Sequence, residues 1–287
     1  MAEVVVLGTA QDGGVPHAGC LCRNCAAARD DWSQRHLPVS LGIVSGAGMV
    51  MVDATNAFEE QMHALWARSS VRKDHAGERY GPPGTIILTH AHTGHYAGLW
   101  QLDRSVLAAA GVRVLGPPLT IAFLEDNEPW ARMTADGFIK PEPVFFDTPF
   151  APLDGVRVTF IEVPHRSEWG ADTAALRIEG SAGSLLYLPD IDSWDEWDRD
   201  PLQMVSTVDI ALLDGCFWQA PNRSGVPHPS MVETMDRLQG AVDLAQTRVI
   251  FTHLNHSNPA FSRDTGERHA IERRGFQVAV EGDTFEL

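Results

Sequence analysis

The sequence predicts an α+β fold in which two β-sheets pack face to face between outer layers of helices. Short apolar strands alternate with helical segments along the 287 residues, and strands dominate the middle of the chain, over 144–188. Most histidine and aspartate side chains that could carry chemistry directly follow a predicted strand. Strand ends on one edge of a sheet can meet in one cleft, so we expect a functional site there.

Strands and helices alternate through the first half of the chain. The apolar run at 4–7 predicts a first strand, and 41–45 and 49–53 predict a strand pair around a turn that contains two glycines. Apolar residues at helical spacing predict a helix over 57–68. The polar stretch over 71–83 is predicted to be a loop. The other elements predicted here are helices at 26–32, 98–102, 105–110 and 119–125, and strands at 85–89 and 112–115.

The second half begins with consecutive strands and then alternates again. Strands are predicted at 144–146, 156–163, 174–178 and 184–188, and later at 210–213, 249–252, 277–280 and 284–287. Helices are predicted at 195–205 and 231–244. The chain contains no clean linker, internal repeat or low-complexity tract. We therefore expect a single domain over 1–287, with an N-terminal loop at 9–25 that is glycine-rich over 9–19 and then carries the cysteines of an expected structural zinc.

The composition excludes several classes of partner. Hydrophobic residues make up 44% and charged residues 21%, which is typical of globular proteins. With 22 Lys and Arg against 38 Asp and Glu, the net charge of −16 repels phosphate backbones and anionic lipid. General nucleic-acid binding and membrane binding are therefore not expected. The start of the chain lacks a signal-peptide pattern, and no run reaches the roughly 20 apolar residues of a membrane span, so a cytoplasmic location is expected.

Three histidines lie within six residues directly after the predicted strand at 85–89. They are His90, His92 and His95, and neutral imidazole is the commonest ligand of transition metals. His165, Asp190 and His253 each follow a predicted strand of their own. This arrangement predicts that the six side chains meet in a metal site at the edge of the sheets.

These residues, in this order, resemble the metallo-β-lactamase superfamily, whose motif is His-x-His-x-Asp-His followed by a lone His, a lone Asp and a last His. The resemblance implies a four-layer αββα sandwich with a zinc, manganese or iron site of one or two ions at the edge between the sheets. It implies a first ion on His90, His92 and His165, a second on residue 94, His95 and His253, and a bridging, catalytic Asp190. Gly94 stands where the motif has aspartate, which removes one oxygen ligand and favours one tightly held ion over two.

Three cysteines form a second cluster, Cys20, Cys22 and Cys25. Thiolates at this spacing in a loop can wrap a tetrahedral zinc, but the site needs a fourth ligand. Segments at 7–16, 20–25, 213–218 and 252–259 narrow the resemblance to the PqqB-like and PhnP-like branch of the superfamily. That branch implies His256 as the fourth ligand of a structural zinc, with Cys216 as the alternative.

The same branch implies roles near the active site. His228 corresponds to a proton donor, and imidazole suits that role because it titrates near neutral pH. Arg166 and Trp218 are expected near the substrate. Asp53, which ends a predicted strand, is expected to hydrogen-bond one of the metal-binding histidines.

The leading functional hypothesis is a metal-dependent hydrolase that uses a metal-bound water or hydroxide on a phosphodiester, ester, lactone or amide. The resemblance to PqqB implies an alternative, a non-haem iron oxygenase that acts in the biosynthesis of a cofactor or a peptide-derived product. A non-catalytic metal-bearing carrier is a third hypothesis, since Gly94 departs from the motif. A small-molecule substrate is expected in each case, and a homodimer is one option for the assembly.

Overall fold

A computed structural model describes residues 1–70, 77–167, 169–219, 226–244 and 247–287. Part of the predicted loop at 71–83 lies outside these ranges. In the described residues the strands form two sheets of seven. The first sheet consists of β1 (Ala2–Gly8), β2 (Ser40–Ser45), β3 (Gly48–Val52), β4 (Thr85–Ile87), β5 (Val112–Gly116), β6 (Ile139–Pro143) and β14 (Thr284–Glu286). The second consists of β7 (Phe150–Leu153), β8 (Val156–Glu162), β9 (Ala174–Glu179), β10 (Ser184–Leu188), β11 (Ile210–Asp214), β12 (Arg248–Thr252) and β13 (Gln277–Val278).

Each sheet has an antiparallel half and a parallel half. The first runs β14-β1-β2-β3-β4-β5-β6, and its pairs are antiparallel up to β3 and parallel from β3 onward. The second runs β13-β12-β11-β10-β9-β8-β7, and the pairs from β10 to β13 are parallel. Parallel neighbours end at the same edge of a sheet. The loops after β3 and β4, and those after β10, β11 and β12, therefore leave the two sheets at shared edges.

Both faces of the sheets are buried, which explains the continuous apolar runs of the strands. Successive side chains of a strand point to opposite faces. In β1, Val4 and Val6 therefore pack between the sheets, whereas Val5 and Leu7 pack under helices on the outer face. The second sheet divides in the same way, with Tyr187 inside and Leu188 outside.

Helices cover the outer faces and complete the four layers. Buried residues of α2 (Phe58–Arg68), α4 (Pro118–Asp126) and α5 (Trp130–Ala135) pack on the first sheet. Those of α6 (Pro201–Ser206), α7 (Met231–Asp243) and α8 (Gly266–Arg273) pack on the second. The αββα prediction is therefore confirmed. Two further helices are α1 (Arg23–Asp30) and the short α3 (Thr93–Tyr96). Across the described ranges, no helix combines the length and hydropathy needed to span a bilayer.

Three of the predicted elements are wrong in whole or in part. The stretch at 105–110 is not a helix, because Val106 and Ala108 both donate backbone hydrogen bonds to Asp103 and Ala108 has a positive φ of 47°, which folds it into turns. The stretch at 144–146 is not a strand, because it carries the chain from β6 in one sheet to β7 in the other. The helix predicted at 195–205 begins only at Pro201, where Asp200 accepts a capping hydrogen bond from the backbone N–H of Gln203.

Candidate metal centre

The six residues predicted to bind metal lie together at the edge where the parallel strands end. His90 and His92 follow β4, Asp190 follows β10, and His253 follows β12. His95 lies in α3, one turn beyond His92, and His165 follows β8. Both sheets therefore contribute side chains to one centre, as the strand-end pattern predicts.

His90, His92 and His165 form a first group around one point. Nδ1 of His92 lies 3.0 Å from Nε2 of His90 and 3.1 Å from Nε2 of His165. These ligand atoms all lie within 4.8 Å of one another. Nitrogen ligands held at about 2.1 Å from one cation are separated by about 3.0 to 3.4 Å, so the group can hold a single ion.

Asp190 lies between this group and a second one. Its Oδ1 lies 3.6 Å from Nε2 of His165, on the side of the first group. Its Oδ2 lies 3.2 Å from Nε2 of His95 and 3.2 Å from Nε2 of His253. Oδ2 also lies 3.7 Å from Nε2 of His90, so Asp190 approaches imidazoles of both groups, as a bridging ligand would.

Sequence reasoning missed one member of the second group, Asp12. Its Oδ1 lies 3.4 Å from Nε2 of His95, and Asp12, His95 and His253 form a set with ligand atoms within 4.8 Å of one another. Asp12 belongs to the loop before α1, far from the histidines in the chain. Two features of the sequence could have indicated Asp12. It lies in a glycine-rich stretch, and the histidine motif lacks its usual carboxylate because Gly94 stands at that position.

The buried polar atoms at this centre favour a cation. Nε2 of His95, Nε2 of His253 and Oδ2 of Asp190 are buried, and they make no hydrogen bond to any part of the chain that the structure describes. Leaving such an atom unpaired costs about 1–3 kcal/mol, and native structures rarely tolerate it without an ion or a water. Three such atoms that face one another fit the donor set of a metal ion.

Partners on the outer side hold the imidazoles in place. Oδ2 of Asp53 lies 2.8 Å from Nδ1 of His95, which confirms the predicted hydrogen bond between Asp53 and a histidine of the cluster. Asp53 also accepts hydrogen bonds from the backbone N–H and the hydroxyl of Thr89, at 2.8 and 3.0 Å. Asp53 and His253 have positive φ values of 62° and 56°, a strained conformation that often occurs at functional sites.

Burial and mutual charge shift the pKa values at the centre in opposite directions. Burial raises the pKa of Asp190, but the surrounding imidazoles, His253 first, outweigh it and hold the pKa well below its ordinary value. Burial and the neighbouring His95 lower the pKa of His90, which favours the neutral ring that binds metals. For Asp12, the nearby imidazole of His95 outweighs the effect of burial and lowers the pKa to about 2.

His228 lies beside the centre, in the segment before α7. Its Nδ1 is 2.7 Å from Oδ2 of Asp214 and 4.0 Å from Oδ1 of Asp190. Its Nε2 is buried and makes no hydrogen bond within the described ranges. Burial lowers the pKa of His228, but the charge of Asp214 and the hydrogen bond to it outweigh this effect and raise the pKa to about 9. The ring can therefore carry a proton at neutral pH.

The cysteine cluster forms a separate, closed group. The sulfurs of Cys20 and Cys22 lie 3.4 and 3.5 Å from Nδ1 of His256, and the four ligand atoms, including Sγ of Cys25, lie within 4.8 Å of one another. A tetrahedral zinc with three thiolates and one imidazole gives sulfur–nitrogen separations of roughly 3.5 Å. Cys216 is not part of this set; its buried thiol lies near Asp214 instead.

The sequence also matches known families. The model of the β-lactamase superfamily domain matches residues 49–254, which cover most of the chain and all six histidine and aspartate positions of the predicted centre. The chain belongs to the metallo-β-lactamase superfamily. The resemblance seen in the motifs is therefore confirmed.

Relatives within this superfamily match the chain along its length. Coenzyme PQQ synthesis protein B of Methylorubrum populi is 28% identical over 99% of this chain and 100% of its own. The structure of zinc-bound PqqB from Methylobacterium extorquens has a TM-score of 0.82 and 26% identity, over 99% of this chain and 100% of its own. A diphosphatase of the PhnP family shares the fold, with a TM-score of 0.68 and 21% identity over 100% of this chain and 97% of its own.

A cavity of about 420 Å³ opens onto this cluster of histidines and aspartates in the metallo-β-lactamase-superfamily chain. Arg166, which is expected near the substrate, lines this cavity, and its guanidinium donates a 2.8 Å hydrogen bond to Asp192. Trp218 is not among the lining residues; it packs against the core under the second sheet. The tryptophan that lines the cavity is Trp169, whose side chain is largely exposed.

Proposed function

We propose that this chain is a metal-dependent hydrolase that acts on a small-molecule phosphodiester, ester, lactone or amide. The convergence of four imidazoles on the buried carboxylate of Asp190 carries the proposal, because such a cluster is costly to bury unless it binds a cation. Membership of the metallo-β-lactamase superfamily supports the same reading. The zinc-bound structure of PqqB supports a metal in this fold.

Each part of the centre has an assigned role. His90, His92 and His165 would hold one ion, His95 and His253 would contribute to a second, and Asp190 would bridge them. A divalent cation held there would supply Lewis-acid chemistry, making water a better nucleophile and polarising the scissile group. Cys20, Cys22, Cys25 and His256 would hold a structural zinc.

The protein's own side chains then position the substrate and deliver a proton. His228 is placed to protonate the leaving group, since Asp214 fixes the ring through Nδ1 and leaves Nε2 without a hydrogen bond. Arg166 offers positive charge at the wall of the cavity, which favours a substrate with a negatively charged or strongly polar group.

Replacement of His92 tests the proposal. His92→Ala removes a ligand that lies 3.0 and 3.1 Å from two others, so we expect loss of one metal ion per chain and loss of turnover. Metal content is measured by mass spectrometry, and turnover with chromogenic phosphodiesters, esters and lactones. The matched control is His269→Ala, because His269 is exposed and lies in α8. Unchanged metal content and turnover in His92→Ala would contradict the proposal.

Assays of the purified wild-type chain distinguish the hydrolase from the two alternative functions, an oxygenase and a carrier. Turnover with zinc or manganese in the absence of dioxygen supports the hydrolase. Bound iron with dioxygen consumption contradicts it and favours an oxygenase. Absence of turnover on every substrate, together with tight retention of a small molecule, contradicts it in favour of a carrier.

A further inference from the structure

The space beside Gly94 is filled by a residue from another part of the chain. A Cβ atom built on Gly94 would lie 2.5 Å from Oδ1, 2.6 Å from Cα and 2.7 Å from Cβ of Asp12. Non-bonded carbon atoms pack at about 3.5–4.0 Å, so a side chain at 94 and Asp12 in its present place exclude each other. Asp12 can therefore occupy this space only because residue 94 has no side chain.

The loop that carries Asp12 is fixed to the segment that carries His253. Ala10 forms an isolated parallel bridge with Leu254, the residue after His253. The backbone N–H of Gln11 donates to the carbonyl of Leu254, and the N–H of Leu254 donates to the carbonyl of Thr9, both at 2.9 Å. These bonds set the distance between Asp12 and His253 without any metal.

A tight turn then aims the carboxylate at the centre. The backbone N–H of Gly14 donates a 2.8 Å hydrogen bond to the carbonyl of Gln11, so Asp12 and Gly13 occupy the middle of the turn. Gly14 has a φ of 71°, which favours glycine. Oδ1 of Asp12 comes within 3.4 Å of Nε2 of His95, while the side chain, 44% exposed, lines the cavity.

We propose that Asp12 replaces the carboxylate that the superfamily motif places at position 94, and that it completes a second cation site with His95, His253 and Asp190. This inference rests on the proposed function, because it concerns the same centre. Separations of 3.2, 3.2 and 3.4 Å between the ligand atoms match the about 3.0–3.4 Å expected around one cation. Gly94 then leaves the second site intact, and the chain binds two ions at the centre rather than one.

The test compares removal of Asp12 with its transfer to position 94. The full chain is equilibrated with zinc or manganese, bound metal is counted by mass spectrometry, and affinity is measured by competition with a chelator. We expect two ions besides the structural zinc in the wild type. We expect one of them to be lost, or bound at least about 10-fold more weakly, in Asp12→Gly, and recovered in the double variant Asp12→Gly with Gly94→Asp.

Each outcome separates the two proposals. The control Asp30→Asn removes an exposed carboxylate from the same N-terminal region and should keep all the metal. If Asp12→Gly binds both ions as tightly as the wild type does, the proposed role of Asp12 is wrong. The role is also wrong if the wild type binds a single ion at the centre and His92→Ala removes that ion. A wild type with no ion beyond the structural zinc overturns the proposed function itself. Retained structural zinc shows that a variant is folded.

Discussion

Two imidazoles of the candidate metal centre, His95 and His165, face carboxylates on their outer nitrogens. Nδ1 of His95 faces Asp53, and Nδ1 of His165 lies 2.7 Å from Oδ1 of Asp192. In both rings Nε2 is then the nitrogen that points to the centre. Such partners fix the tautomer and raise the basicity of the ligand nitrogen. The carboxylates of Asp53 and Asp192 therefore act through the histidines.

Asp53 offers a test of this positioning role. Asp53→Asn keeps the shape of the side chain but removes the charge that faces Nδ1 of His95, so the ring loses its fixed orientation. We expect metal affinity to fall by about 10- to 100-fold, measured by chelator competition, while the structural zinc is retained. Asp126→Asn, at an exposed position, is the control. Equal affinities in Asp53→Asn and the wild type would show that the carboxylate does not orient His95.

The sequence predicts the histidines of this centre better than its carboxylates. His90, His92 and His95 are close in the chain and follow one strand, so local spacing alone brings them together. Asp12 reaches the same point only because its loop pairs with Leu254, a contact between opposite ends of the chain. No local pattern encodes such a contact. The motif alone favours one tightly held ion, because Gly94 lacks a carboxylate and the motif carries no sign of that contact.

At the scale of elements, the N-terminal loop that passes the centre is attached to the rest of the fold at two places. One end pairs with the segment after β12, and the other carries the cysteines that face His256, three residues beyond His253. Asn24 strengthens this second attachment by donating hydrogen bonds to the carbonyls of His256 and Asn258, at 3.1 and 2.9 Å. The cysteine cluster thus fastens the loop that carries Asp12.

Cys22→Ser tests the proposed structural zinc. We expect the loss of one zinc per chain and a fall in the free energy of unfolding on the order of 4 kcal/mol, the stabilisation that a ligand gives at 1,000 times its Kd. Zinc content and thermal unfolding at fixed free zinc are the measurements. Cys216→Ala is the control, since Cys216 is buried outside the cluster and should retain the zinc. Full zinc content in Cys22→Ser would rule out Cys22 as a ligand.

At the scale of the whole molecule, the end of the chain joins the two sheets. β13 lies at the edge of the second sheet and β14 at the edge of the first, and residues 279–283 cross between them. Along this crossing the N–H of Gly282 donates a hydrogen bond to the carbonyl of Val6. Oε1 of Glu281 accepts a 2.6 Å hydrogen bond from the N–H of Leu37. The short strands at the end of the chain were predicted, but the sheets to which they belong were not, because long-range pairing alone decides this.

Glu281 makes the stability of this crossing depend on pH. Burial raises the pKa of Glu281 from its ordinary 4.5 to about 7, against the opposing hydrogen bond from Leu37 and the charge of Arg35. The folded protein therefore holds this proton more tightly than the unfolded chain does. The resulting stability is fully present below about pH 4.5 and is lost as the pH rises through about 7.

Glu281→Gln removes this titration and keeps an oxygen that can accept the bond from Leu37. We expect the wild type to lose about 1–3 kcal/mol relative to the variant between pH 5 and pH 8, a range set by the shift in pKa and reduced because the side chain is partly exposed. Urea unfolding of both proteins at these two pH values measures the difference, and other titrating groups cancel in the comparison. A difference that does not change with pH would mean that Glu281 is ionised in the folded protein throughout this range.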